Sequence, residues 1–166
     1  MSENETLLLR QPTVSADHIA FVYAGDIWRV GLAGGIATRL TAQKGAKRTP
    51  RFSPDGQTVA FTANYDGSDG IYTLPVQGGA PTQVTFHPNI DELRGWSPDG
   101  RSLIFASSRQ SHTFRYRRLF AVAADGGFPE PLGVPLADNG SLSPDGSKLV
   151  ITRVPEPFWS WKRYRG

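Results

Sequence analysis

The residues best suited to chemistry gather in SRQSHTFRYRR (Ser108–Arg118). There Arg109, Arg115, Arg117 and Arg118 occur without an acid and are interleaved with His112, Phe114 and Tyr116. Guanidinium forks grip carboxylates and phosphates at two points, and aromatic faces add stacking, so such a loop suits peptides, free carboxylates or a nucleic-acid backbone. Its other reading is an exposed loop whose cationic edge discourages strand pairing. Two further stretches have the residue types of metal loops. NYDGSDG (Asn64–Gly70) has the oxygen spacing of a calcium loop but no closing bidentate glutamate. HPNIDEL (His87–Leu93) sets one histidine beside Asp91 and Glu92, which suits a solvated turn better than a metal. Nucleophilic catalysis finds less support. The nearest approach to a Gly-x-Ser-x-Gly elbow is NGSLSPDG, where Ser143 is followed by the proline of a turn. The only histidines able to act as a base are His18, His87 and His112. A triad is defined by geometry and not by sequence order, but no residue here is assigned a catalytic role, and no metal or cofactor is expected.

The elements that must position these residues announce themselves by repetition. Ser-Pro-Asp-Gly begins at Ser53, Ser97 and Ser143, at intervals of 44 and 46 residues. Gly34-Gly35, Gly78-Gly79 and Gly126-Gly127 keep the same beat, as do Ile27-Trp28, Ile71-Tyr72 and Leu119-Phe120. Proline presets the first central turn position, aspartate tolerates the second, and glycine takes the left-handed geometry that closes a hairpin. Between the turns lie β-rich runs such as QTVAFTA, GIYTLPV, SLIFASS and KLVITRV, apolar on both faces, as strands sandwiched between neighbouring sheets are. Nothing reads as an amphipathic helix.

One unit is four short strands. In the second unit these fall near 50–53, 57–63, 70–75 and 81–84; in the third, near 94–97, 101–107, 118–123 and 129–132. The start of the chain holds a shortened copy, PTVSADHIAFV, with Ala16-Asp17-His18 in place of the full turn. The spacing predicts an all-β protein: a β-propeller of four-stranded antiparallel blades, with about three and a half blades in one partial domain over 1–166. Blade 1 spans about 12–41, blade 2 about 50–85, blade 3 about 94–133 and a half blade 139–154, followed by a tail over 155–166.

SPDG before the second strand, GIYTLPVQGGAPTQVT and the Gly-Gly hairpin resemble the TolB and tricorn class of propeller repeats. The opening LLLRQPTVSADHIAFVYAGDIWRVGLAGGIATRLT, with Asp26-Ile27-Trp28, is similar to the start of the tricorn protease family, and WKRYRG (Trp161–Gly166) to a run in the same propeller. That family is a large cytoplasmic peptidase with two propellers ahead of a serine- and histidine-dependent catalytic region. The resemblance implies a non-catalytic segment, about half of the first propeller, that binds or gates peptides and works with the remainder of a larger protease. A self-assembling propeller scaffold and a TolB-like protein-interaction module are the alternatives.

Bulk properties narrow the partners. A formal charge of +3 is too small to argue for nucleic acid. No cysteine is present, so neither disulfides nor thiolate metal sites arise. The acidic N-terminus lacks an export signal and no run is long enough to span a membrane, so the expectation is a cytoplasmic protein. An open partial ring implies one of three outcomes: self-association as a homodimer completing the ring, with the TLLLR segment as a candidate strand lent to the partner; completion by the remainder of a larger protease; or a four-bladed monomeric ring closed by the N-terminal segment. In a four-stranded meander the connections after the second and fourth strands share one face of the disc. That face should carry Lys44, Lys47 and Arg48, then His87, Asp91 and Glu92, then Arg109 to Arg117. Arg48, His87, Arg109, His112, Arg115 and Arg117 are therefore the candidate residues for a peptide or partner.

Overall fold

The computed structural model describes residues 8–112 and 116–153, which form fourteen strands and no helix. The first sheet is β1 (Arg10–Val14), β2 (His18–Tyr23), β3 (Asp26–Gly31) and β4 (Thr38–Arg39). The second is β5 (Lys47–Phe52), β6 (Thr58–Asn64), β7 (Asp69–Pro75) and β8 (Thr82–Gln83). The third is β9 (Asp91–Trp96), β10 (Ser102–Ser107), β11 (Arg118–Ala123) and β12 (Glu130–Pro131). A pair, β13 (Asn139–Leu142) and β14 (Leu149–Thr152), follows. Each sheet is an antiparallel meander in chain order, and the described sheets do not close a ring: the fold is a partial β-propeller. The inner strands β1, β5, β9 and β13 lie side by side in that order.

The repeated turn explains itself atom by atom. Ser53 N–H donates to Thr58 O at 2.8 Å, and Thr58 N–H donates back to Ser53 Oγ at 3.0 Å. Asp55 Oδ1 accepts both Ser53 Oγ–H at 2.5 Å and Gln57 N–H at 3.0 Å, while Gly56 takes φ 71°. The same contacts recur at Ser97/Asp99/Arg101 and Ser143/Asp145/Ser147. In the first sheet the turn is shortened, and Ser15 Oγ accepts directly from His18 N–H at 3.1 Å. His18 thus closes a turn through its backbone.

Those hydrogen bonds hold the carboxyls of Asp55 and Asp99 below the usual range, through the serine hydroxyl first, and that of Asp145 down to about 2. A group whose pKa is lowered by folding stabilises the native state above its unfolded pKa of about 4, and that contribution is lost as pH falls through the folded value. Urea titrations from pH 5 to pH 2 (a window of roughly three units set by those pKa values) should therefore show stability falling with acid. Asp55→Asn, Asp99→Asn and Asp145→Asn together should flatten that slope.

Cores form at the seams between blades. Ala20, Ile27, Phe52, Val59, Phe61 and Leu74 fill the first seam; Ala60, Ile71, Leu93, Phe105 and Phe120 the second; Ala106, Leu119 and Ala137 the third. Neighbouring residues such as Ala60 and Phe61 serve opposite seams, which is why the strands are apolar on both faces. Equivalent cross-strand pairs, Phe61 with Tyr72 and Phe105 with Phe120, stack at 5.9 and 5.8 Å.

The inner strands start earlier than the sequence suggests: β5 at Lys47 and β9 at Asp91, where expectation placed them near 50 and 94. Proline reads as a strand boundary because it lacks a donor, but a bulge lets pairing continue past it. Pairing shifts register between Arg10 and Thr13 and between Arg48 and Arg51, with Gln11 and Thr49, each before a proline, at φ 52° and 51°. Arg10 of the TLLLR segment is the first residue of β1 and pairs with Val22, so it belongs to the first blade's own inner strand; Thr6 and Leu7 lie outside the described residues. The WKRYRG run also lies outside them.

Candidate functional site

The bulges aim side chains along the inner strands. Gln11 Oε1 accepts Thr49 N–H at 2.8 Å; Thr49 Oγ1 shares a proton with Thr62 Oγ1 at 2.9 Å; Thr62 Oγ1 accepts Leu93 N–H at 2.9 Å. This relay joins three consecutive blades. Beside it, Arg51 Nε donates to Arg94 O at 3.4 Å and Trp96 Nε1 to Arg51 O at 3.1 Å. Burial, and then the Arg94 charge, lower the Arg51 pKa.

The face carrying the β2–β3, β6–β7 and β10–β11 loops and the connections between blades is dense in charge, but most of it is spoken for. Lys47 is 3% exposed and bridges Asp26 at 2.9 Å, so it does not present itself to solvent as the sequence implied. Burial raises the Asp26 pKa, but hydrogen bonds from Lys47, Thr41 and Arg39 outweigh it and hold the carboxyl low. Arg48 pairs with Asp69, the last acid of NYDGSDG, and in the same loop Asn64 Oδ1 accepts Gly67 N–H. Arg109 Nη2 meets Asp91 Oδ2 at 2.6 Å, and its guanidinium lies 5.0 and 5.4 Å from the ring centres of Phe105 and Phe120. The Arg109 side chain is 11% exposed and that of Asp91 0%. Arg117 Nη1 reaches Glu92 at 2.6 Å and Asp138 at 3.6 Å, and Arg94 reaches the same two acids at 2.9 and 3.5 Å. Burial pushes the Glu92 pKa up, and Arg94 and Arg117 more than offset this.

The loop that reads as acid-free is therefore supplied with acids from β9 and from Asp138, residues distant in sequence. Arg109, Arg117, Asp91 and Glu92 come together; Arg48 stands with the second blade. His87 is half-buried, its Nδ1 accepting Asn89 N–H at 3.1 Å, and His112 is exposed. Arg115 lies outside the described residues. The acids that hold the arginines were missed as their partners. The available signal was the meander itself, which puts Asp91, Glu92 and the loop over 109–117 on one face of the disc. Among the same connections, Phe86 (76% exposed), Ile90, Tyr116 and Leu136 expose apolar surface. Among the described residues no helix is long and apolar enough to cross a membrane.

Residues 6–166 match the tricorn protease N-terminal beta propeller domain. The chain belongs to that family. Tricorn protease homolog 1 of Streptomyces coelicolor is 35% identical over 161 residues, covering 95% of this chain but 15% of the relative. The chain thus spans a small part of the curated tricorn homologue. Of solved structures, TolB from Acinetobacter baumannii superposes with TM-score 0.76 at 26% identity, over 90% of this chain and 39% of TolB. The tricorn protease itself superposes with TM-score 0.74 at 24% identity, over 84% of this chain and 14% of that chain. The fold of the tricorn propeller is shared.

Proposed function

We propose that the chain is a non-catalytic propeller segment of a tricorn-type protease, binding or gating peptides for a serine-type peptidase carried by the rest of a larger cytoplasmic assembly. The observation that carries this reading is the family match over residues 6–166. The connection face adds chemical support. Arg48 and Arg117 each commit nitrogen atoms to carboxylates, yet keep 35% and 23% of their side chains exposed. Their forks are held in place before a ligand arrives, which lowers the ordering cost of binding. His87, His112 and Arg115 share these connections, and Phe86 and Tyr116 supply apolar contact. Arg109, sunk beneath the surface, positions the loop instead of touching the peptide.

Fluorescence anisotropy with a labelled peptide carrying a free C-terminal carboxylate tests the reading. Arg115→Ala plus Arg117→Ala should weaken binding about tenfold or more, the loss of one or two charge-assisted hydrogen bonds. Absence of binding at millimolar peptide would sink it. The likeness to TolB favours a second reading, a protein-interaction module. Ile36 and Phe128, at equivalent Gly-Gly hairpin tips on the opposite face, are 95% and 98% exposed and would be its contacts.

A further inference from the structure

At the outer end of the first seam, the connection leaving β4 and the β6–β7 loop border a cleft of about 340 Å³ lined by Gln43, Lys44, Tyr65, Tyr72 and Pro81. Its walls are aromatic: Tyr65 meets Tyr72 edge-on at 4.7 Å, and Pro81 adds a flat apolar side. Its polar lining is rich in donors. The Lys44 ammonium is exposed and has no ion-pair partner among the described residues. Gln43 uses its side-chain oxygen to accept Ala42 N–H and its backbone carbonyl to accept Lys47 Nζ, which leaves its amide NH2 to donate. The Tyr65 hydroxyl, by contrast, is buried and unbonded, out of reach of a ligand in the cleft. Burial, then Tyr72 and Asp26, push its pKa up to about 12, so it keeps its proton at every ordinary pH.

Among the described residues no carboxylate lines the cleft. Asp26, behind Tyr65, is neutralised by Lys47 and Arg39, and the Lys47 ammonium sits 5.3 Å from the Tyr65 ring centre. Asp66, in the adjoining loop, is the acid that acts on Tyr72. An exposed ammonium and a free amide beside an aromatic slot are complementary to an anion with an apolar body. Small-molecule sites begin at about 300 Å³, so the space suits a ligand about the size of one residue.

We propose that this cleft binds a carboxylate joined to an aromatic or branched apolar group, with Lys44 and the Gln43 amide on the carboxylate and Tyr72 and Pro81 against the apolar part. The cleft opens on the same connection face, but its lining includes none of the arginines, and it does not depend on peptide binding to them.

The test titrates N-acetyl-L-phenylalanine, and in parallel its uncharged C-terminal amide, into the 15N-labelled full chain. Saturable shifts of the Gln43, Lys44, Tyr65 and Tyr72 amides are expected, with the acid binding about tenfold tighter than the amide, as one charge-assisted hydrogen bond gives. Lys44→Ala and Gln43→Ala, both at exposed positions, should each reduce that preference, and Asp66→Asn should strengthen binding of the acid. Equal binding of acid and amide would overturn the proposal. So would shifts centred on Arg48 and Arg117, which would leave the arginine-face reading standing, or no localised shifts at all.

Discussion

Gly45→Ala is expected to destabilise the protein by roughly 2–5 kcal/mol, the sum of positive-φ strain and overpacking. Gly45 sits at φ 100°, and a Cβ built there would lie 1.8 Å from the Asn64 carbonyl oxygen and 2.9 Å from its carbon. The clash is with backbone, which cannot swing aside. It falls where the connection from the first blade crosses the β6–β7 loop, so relief would require moving one blade against the next. Gly67 is the internal control. It has φ 94° and nothing within 4 Å of its virtual Cβ, so Gly67→Ala should cost only the conformational strain, about 1–2 kcal/mol. Urea midpoints of the two variants, read against wild type, separate the contributions. Equal losses would mean that the connection does not pack on the loop as described.

Arg109→Met should cost about 3–5 kcal/mol, because it strands the fully buried Asp91 carboxylate. One oxygen of that carboxylate, Oδ1, has no hydrogen-bond partner, so Arg109 is its principal compensation. Adding Asp91→Leu to Arg109→Met should restore most of the stability, since a buried pair replaced by apolar groups is often neutral or better. The coupling from the double-mutant cycle is the measurement. A single variant within about 0.5 kcal/mol of wild type would show that Arg109 is free, and would return it to the set of residues available to a peptide.

The repeat makes much of the fold legible. Ser53, Ser97 and Ser143 mark the same turn because one hydroxyl, one carboxylate and one glycine are enough to close it locally. Strands apolar on both faces point to stacked sheets, and Phe61 and Ala60 divide between two seams accordingly. The inner strands were harder to bound, because Pro50 reads as a start while the Thr49 bulge carries pairing back to Lys47. The charges were harder still. Asp91 and Arg109 lie 18 residues apart, on a strand and on the loop beyond the next strand. Inspection of one loop at a time shows four arginines without an acid. Only the meander, which returns β10 alongside β9, brings the acids beneath Arg109 and Arg117.

The relay through Gln11, Thr49, Thr62 and Leu93 has a direction. At each step the backbone donor belongs to the later blade and the side-chain acceptor to the earlier one. The contact is therefore heterologous: leading edge meets trailing edge, and two like edges brought together would leave donors facing donors. Blades joined this way carry a built-in sense of rotation. Any sheet extending the array, whether from this polypeptide or another, finds matched polar partners only when it enters in that same sense.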